Sequence, residues 1–156
     1  VFATLMSALA LAGAPASTHV YCEPGIPAVE LGAAYPSSIQ VIDGRIVPGR
    51  LDNVELGALA CGALLYTSAS PTERAAIRRL NPSVDIDHLV GVGLQVTLHE
   101  ANHVALNSSD ECLVEKTTRA EINGLLAQTA DPARVVAAER AASASDASLP
   151  ASYHGC

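Results

Sequence analysis

The sequence predicts a mostly helical α+β fold, in which a short N-terminal β-hairpin or strands lead into a helical body. Three observations predict it. Prolines and glycines recur between Ser17 and Arg50 and cut that region into short extended pieces. From about residue 52 onward, apolar residues fall at helical spacing between recognisable caps. The chain has no tryptophan, one phenylalanine and four tyrosines in 156 residues, so Ala, Leu and Val must fill the core. Those residues pack between helices more readily than between the sheets of a β-sandwich. The length suits one domain.

The extended candidates are His19–Cys22 and residues 38–46, the latter broken by Asp43-Gly44, a dipeptide that favours a tight hairpin turn. Asp52 or Asn53 can cap a helix reaching Tyr66, with Val54, Leu56, Leu59, Ala60, Ala63 and Leu64 on its apolar positions. Ser70-Pro71-Thr72-Glu73 is a capping box with proline at the first helical position, and its helix stops at Asn81-Pro82. Asp85 or Asp87 caps a long helix over about 87–106. Asn107-Ser108-Ser109 makes a tight turn into a second long helix, about 109–129. Asp131-Pro132 opens a shorter helix to about Ala142, and an Ala/Ser-rich tail follows to Cys156.

Val1–Ala16 carries no charge, and its apolar run from Phe2 to Ala12 has the length of a signal-peptide core rather than of a membrane span. Ala14-Pro15-Ala16 fits a cleavage site. Residues 1–16 are therefore expected to be a signal peptide, 17–142 a single domain, and 143–156 a C-terminal tail. No later run is apolar enough to span a bilayer, so no stable membrane anchor is expected after processing, and the expected location is secreted. Cys22, Cys61, Cys112 and Cys156 are an even set without C-x-x-C spacing, which reads as two disulfides with three connectivities open. The pairing Cys22–Cys61 and Cys112–Cys156 ties each end to a helix and is preferred. Nine Lys+Arg against sixteen Asp+Glu give a net charge of −7, and no basic cluster exceeds Arg78-Arg79. Nucleic acid is therefore not an expected partner.

One motif stands above this background. His99-Glu100-Ala101-Asn102-His103 is HExxH, and on a helix residues i and i+4 share a face, so both imidazoles address one point. Two neutral imidazoles there can bind Zn²⁺, with Glu100 beside the metal as the base that activates water and returns the proton to a leaving amine. The alternative is a solvated helix face that happens to carry two histidines. From Val96 to Ala105, however, Glu100 is the only charged residue. A buried helix is expected, and its polar groups need a partner.

A third ligand is required. Glu111 and Glu115 lie i, i+4 on the following helix, which the short turn folds antiparallel to the first. Glu111 beside the His103 end is the favoured ligand, with Glu115 holding His99 from behind; the swap, with Glu115 as ligand, stays open. So does a purely local role for Glu111, since Ser108-x-x-Glu111 also fits a capping box.

His99-Glu100-Ala101-Asn102-His103-Val104-Ala105-Leu106 followed by Ser108-Ser109-Asp110-Glu111-Cys112-Leu113-Val114-Glu115 resembles the core of a gluzincin-like HExxH zinc metallopeptidase, and is similar to small exported bacterial proteins of that kind. The resemblance covers about residues 88–128. It implies a zincin-like domain, zinc, peptide-bond hydrolysis, a peptide or protein substrate, His99, His103 and Glu111 as ligands, and Glu100 as the catalytic base. The gap from His103 to Glu111 is shorter than in large gluzincin peptidases. Ser109, six residues after His103, and a sole methionine at Met6 exclude the metzincin pattern.

Other residues read more plainly. His19 and His88 lie outside the cluster and are expected on the surface. Arg119 falls one turn beyond Glu115 and can pair with it. Tyr153 and His154 could stabilise an oxyanion if Cys156 staples the tail over the site. Residues 37–41 could serve as an edge strand for an extended peptide. Two functions follow: a secreted zinc-dependent metallohydrolase, foremost a peptidase, or a non-catalytic exported binding domain whose His/Glu cluster is a structural metal site or a polar core.

Overall fold

The computed structural model describes residues 18–23, 32–35, 40–42, 45–47 and 53–128, together with Gly13 and Arg140. Within them the strands are β1 (His19–Cys22), β2 (Gly32–Tyr35), β3 (Gln40–Ile42), β4 (Arg45–Val47) and β5 (Asn53–Leu56). The helices are α1 (Ala58–Ser68), α2 (Pro71–Leu80), α3 (Ile86–Leu106) and α4 (Glu111–Gln128). The described fold is mostly helical, as expected. Apart from Gly13 and Arg140, the segment expected as a signal peptide, the expected helix over 131–142 and the tail lie outside the described residues.

The hairpin expectation covers only the smaller piece of sheet. β3 and β4 pair antiparallel, Val41 opposite Ile46. The strands that carry the core are arranged otherwise, in a three-stranded sheet of order β1-β5-β2. Here β5 runs parallel to β1, Val20 opposite Val54, and antiparallel to β2, Gly32 opposite Leu56. A parallel pair cannot be a hairpin; its strands are joined through a long connection.

β5 is also a correction to the expected start of the first helix. Asn53–Leu56 is strand, and α1 begins only at Ala58 after Gly57. Val54 and Leu56 are both fully buried while Asn53 and Glu55 are not, which is the two-residue alternation of a strand with one face in the core. Burying these two side chains contributes about 1.5–3 kcal/mol each, an upper figure. They join Ala60, Cys61 and Leu64 of α1 and Val96 and Val104 of α3 in one apolar cluster. α1 approaches α3 at Gly93, where a side-chain carbon would run into Cβ of Ala63. Cys22 and Cys61 form a disulfide that ties the end of β1 to α1. Cys112 is disulfide-bonded too; its expected partner, Cys156, lies outside the described residues.

The caps fall where residue chemistry puts them. Ser70 and Glu73 complete both halves of the capping box of α2, and Asp85 accepts from the backbone N–H of His88 at the start of α3. α3 ends at Asn107, whose φ of 46° is left-handed. α4 begins three residues later, after Asp110, and packs against α3.

Candidate metal centre

α3 is buried along most of its length, including Gln95, Val96, Thr97, Leu98, Ala101, Asn102, His103 and Val104. Within this apolar helix Gln95, His99 and His103 form a polar stripe at i, i+4 and i+8, and α4 meets it with Glu111 and Glu115. The start of α4 explains why Glu111 is free to do so. Asp110 caps the helix, its carboxylate accepting from the N–H groups of Cys112 and Leu113 at 3.0 and 3.1 Å. Ser108 Oγ accepts instead from the N–H of Asp110. The capping role considered for Glu111 thus belongs to its neighbour.

Three acceptor atoms converge. His99 Nε2 lies 3.0 Å from Glu111 Oε2 and 3.2 Å from His103 Nε2, and His103 Nε2 lies 3.4 Å from the same Glu111 oxygen. The far side of each ring is held separately. His103 Nδ1 donates to the carbonyl of Ser108 at 2.7 Å, and His99 Nδ1 faces Glu115 Oε2 at 3.0 Å. A carbonyl only accepts, so Nδ1 of His103 carries a proton, and in a neutral ring its Nε2 is then a lone pair. A second proton donated by His99 to Glu115 would leave its Nε2 a lone pair as well. Two lone pairs and a carboxylate oxygen at these distances repel unless one positive charge, an extra proton or a cation, lies among them.

The residues fit a metal. Ligands bound at 2.0–2.1 Å in a tetrahedron stand about 3.3–3.4 Å apart, and the edges here are 3.0, 3.2 and 3.4 Å. His99, His103 and Glu111 form a group that could hold a metal ion. The Glu111 side chain is 42 % exposed while those of His99 and His103 are 17 % and 10 %, so the cluster opens to solvent past Glu111.

Glu115, at 2 % exposure, meets His99 on the other ring nitrogen and stands outside the group of three. Besides His99 it meets the Gln95 amide at 3.4 Å and, through its other oxygen, Nε of Arg119 at 3.5 Å. Burial draws the His99 ring down, but the Glu115 hydrogen bond and the charges of Glu100, Glu111 and Glu115 outweigh it and leave the ring above its ordinary value. Burial pushes the Glu100 carboxyl up; His99 and His103 oppose this and Glu111 adds to it. Glu100 lies toward β2, its stem against Gly32.

His99, Glu100, His103, Glu111 and Glu115 are therefore brought together. Arg119 pairs with Glu115, while His19 and His88 are exposed and apart from the cluster. Tyr153 and His154 lie outside the described residues. The strand beside Glu100 is β2; of the segment 37–41 considered as an edge strand, Gln40 and Val41 pair with β4 and residues 37–39 lie outside the described residues. Sequence reasoning missed Gln95, although its spacing from His99 shows it. It also missed Asn102, which donates to Thr118 and Glu121 at 3.1 and 2.9 Å and ties α3 to α4 beside the site. No protein family, curated protein or solved structure matches the chain.

Proposed function

We propose that the chain is an exported zinc-dependent metallohydrolase acting on a peptide or protein. The observation that carries this reading is the convergence of His99 Nε2, His103 Nε2 and Glu111 Oε2 at tetrahedral spacing, with both histidines on the helix that also carries Glu100. Two imidazoles and one carboxylate are a donor set that suits Zn²⁺ and leaves a coordination position open. Bound there, zinc supplies an activated water and a Lewis acid for the scissile carbonyl. Glu115 and the Ser108 carbonyl fix the ring orientations, and contacts stepping from His103–Glu111 to His99–Glu115 suit an antiparallel course of α3 and α4. Glu100 would take a proton as base and hand it to the leaving amine as acid. The disulfide between Cys22 and Cys61 and the uncharged, apolar character of residues 1–16 support export.

A second reading has one observation in its favour. Each nitrogen of His99 stands 3.0 Å from a carboxylate oxygen, the setting of a protonated ring in a metal-free polar core. Metal analysis of the purified full-length chain, with peptide hydrolysis measured for it and for Glu100→Gln, separates the two. Near-stoichiometric zinc with hydrolysis abolished in the variant supports the metallohydrolase. Zinc without hydrolysis in either form supports a structural site, and no zinc after reconstitution supports the polar core.

A further inference from the structure

We propose that Gly32 of β2 is a positioning residue for Glu100, a role that rests on the metallohydrolase reading above. A Cβ placed on Gly32 would stand 2.9 Å from Cγ of Glu100, 3.1 Å from Cγ1 of Val96 and 3.1 Å from the carbonyl oxygen of Glu55. The backbone conformation does not demand glycine there: the only positive-φ glycine among the described residues is Gly13. Space demands it.

The three neighbours differ in how far they can yield. The Glu55 carbonyl belongs to β5, which pairs with β2 along this stretch. Val96 is 5 % exposed and part of the apolar core. Glu100, one helical turn after Val96 on the same face of α3, is the neighbour whose stem can swing. The missing side chain at position 32 is thus the room that the Glu100 methylene occupies, and the bare strand sets where that carboxylate stands beside the three converging ligand atoms. Any side chain at 32 would displace the carboxylate while leaving His99, His103 and Glu111 in place. A shift of about 1 Å in a reacting group can cost about 10²-fold in rate.

The test is Gly32→Ala in the full chain, made with and without Glu100→Ala, with zinc content, melting temperature and peptide hydrolysis read for each. The expected result has three parts. Zinc stoichiometry stays at the wild-type level. kcat falls by about 10²-fold with KM within about twofold. The loss of melting temperature caused by Gly32→Ala shrinks to half or less in the Glu100→Ala background, where Cγ is gone. An equal loss in both backgrounds, or an unchanged kcat, overturns the proposal. If Gly32→Ala does not fold alone, recovery of folding in the double variant supports it and failure in both overturns it. A wild-type chain that binds no zinc, or hydrolyses no peptide, removes the function and this role with it. A zinc-loaded, active chain whose Gly32→Ala variant is equally active removes this role alone.

Discussion

The carboxylate of Glu115 stands 3.0 Å from Nδ1 of His99 and is almost wholly buried, at 2 % exposure. A buried carboxylate is costly unless its lone pairs are used. Here Oε2 takes the His99 ring and the Gln95 amide, while Oε1 makes no hydrogen bond among the described residues and faces the Arg119 guanidinium at 3.5 Å. One residue therefore serves both fold and site: it joins α3 to α4, and it turns His99 so that Nε2 faces His103 and Glu111.

Glu115→Ala is expected to lower stability by about 3–5 kcal/mol, the usual effect of removing one partner of a buried charged pair. Glu115→Gln keeps the shape and a hydrogen-bond acceptor, so it should fold, with metal affinity weakened about 10–100-fold. Urea denaturation and competitive zinc titration measure the two effects. Equal affinities in Glu115→Gln and wild type would show that the carboxylate does not orient the ligand.

Stability should depend on pH in opposite senses with and without metal. His99 and Glu100 are both raised above their ordinary values of 6.5 and 4.5 in the metal-free fold. A group raised on folding contributes stability that is complete below its unfolded value and is lost as pH rises through its folded value. The metal-free melting temperature should therefore fall as pH climbs past 4.5 and again past 6.5. Zinc must displace protons from its ligands, so the stabilisation it adds should grow over the same range. Parallel melts in chelator and in excess zinc from acid to mildly alkaline pH give both slopes. Profiles that coincide would show that zinc does not bind the folded chain.

The contact between α1 and α3 at Gly93 leaves no space for a methyl group against Ala63. Gly93→Ala should cost about 1–3 kcal/mol as overpacking, despite the better helix propensity of alanine. Ala63→Gly in the same chain should recover part of it, and chemical denaturation of the single and double variants measures the coupling.

The disulfide between Cys22 and Cys61 closes a separation of 39 residues. Loop-closure entropy assigns such a link about 4 kcal/mol. The double variant Cys22→Ala/Cys61→Ala should lose stability of that order while zinc content stays unchanged, since neither cysteine touches the ligands. Loss of zinc in a variant that still folds would connect the sheet to the site more tightly than the packing described here.

The legible parts were those written in short spacings. HExxH followed by Glu111 and Glu115 places its residues by helical geometry and one tight turn, and the Ser70 box and the strands flanking residues 43–44 are local in the same way. What escaped depends on partners far along the chain. Val54, Leu56, Leu59 and Ala60 suit a helix as well as a strand followed by a helix, and pairing with β1 and β2 decides for the strand. Gly32-Ala33-Ala34-Tyr35 has no β-branched residue to announce a strand. Its nearness to Glu100 exists only once the sheet lies on α3.

The most direct test of the centre is zinc titration of the full-length chain with X-ray absorption at the zinc edge. One equivalent should bind, with two imidazole nitrogens and oxygen donors at about 2.0–2.2 Å, and His103→Ala or Glu111→Gln should weaken binding sharply. Failure of the deprotonated chain at mildly alkaline pH to take up zinc, or a bound ion without imidazole ligands, would contradict a cation site at His99, His103 and Glu111.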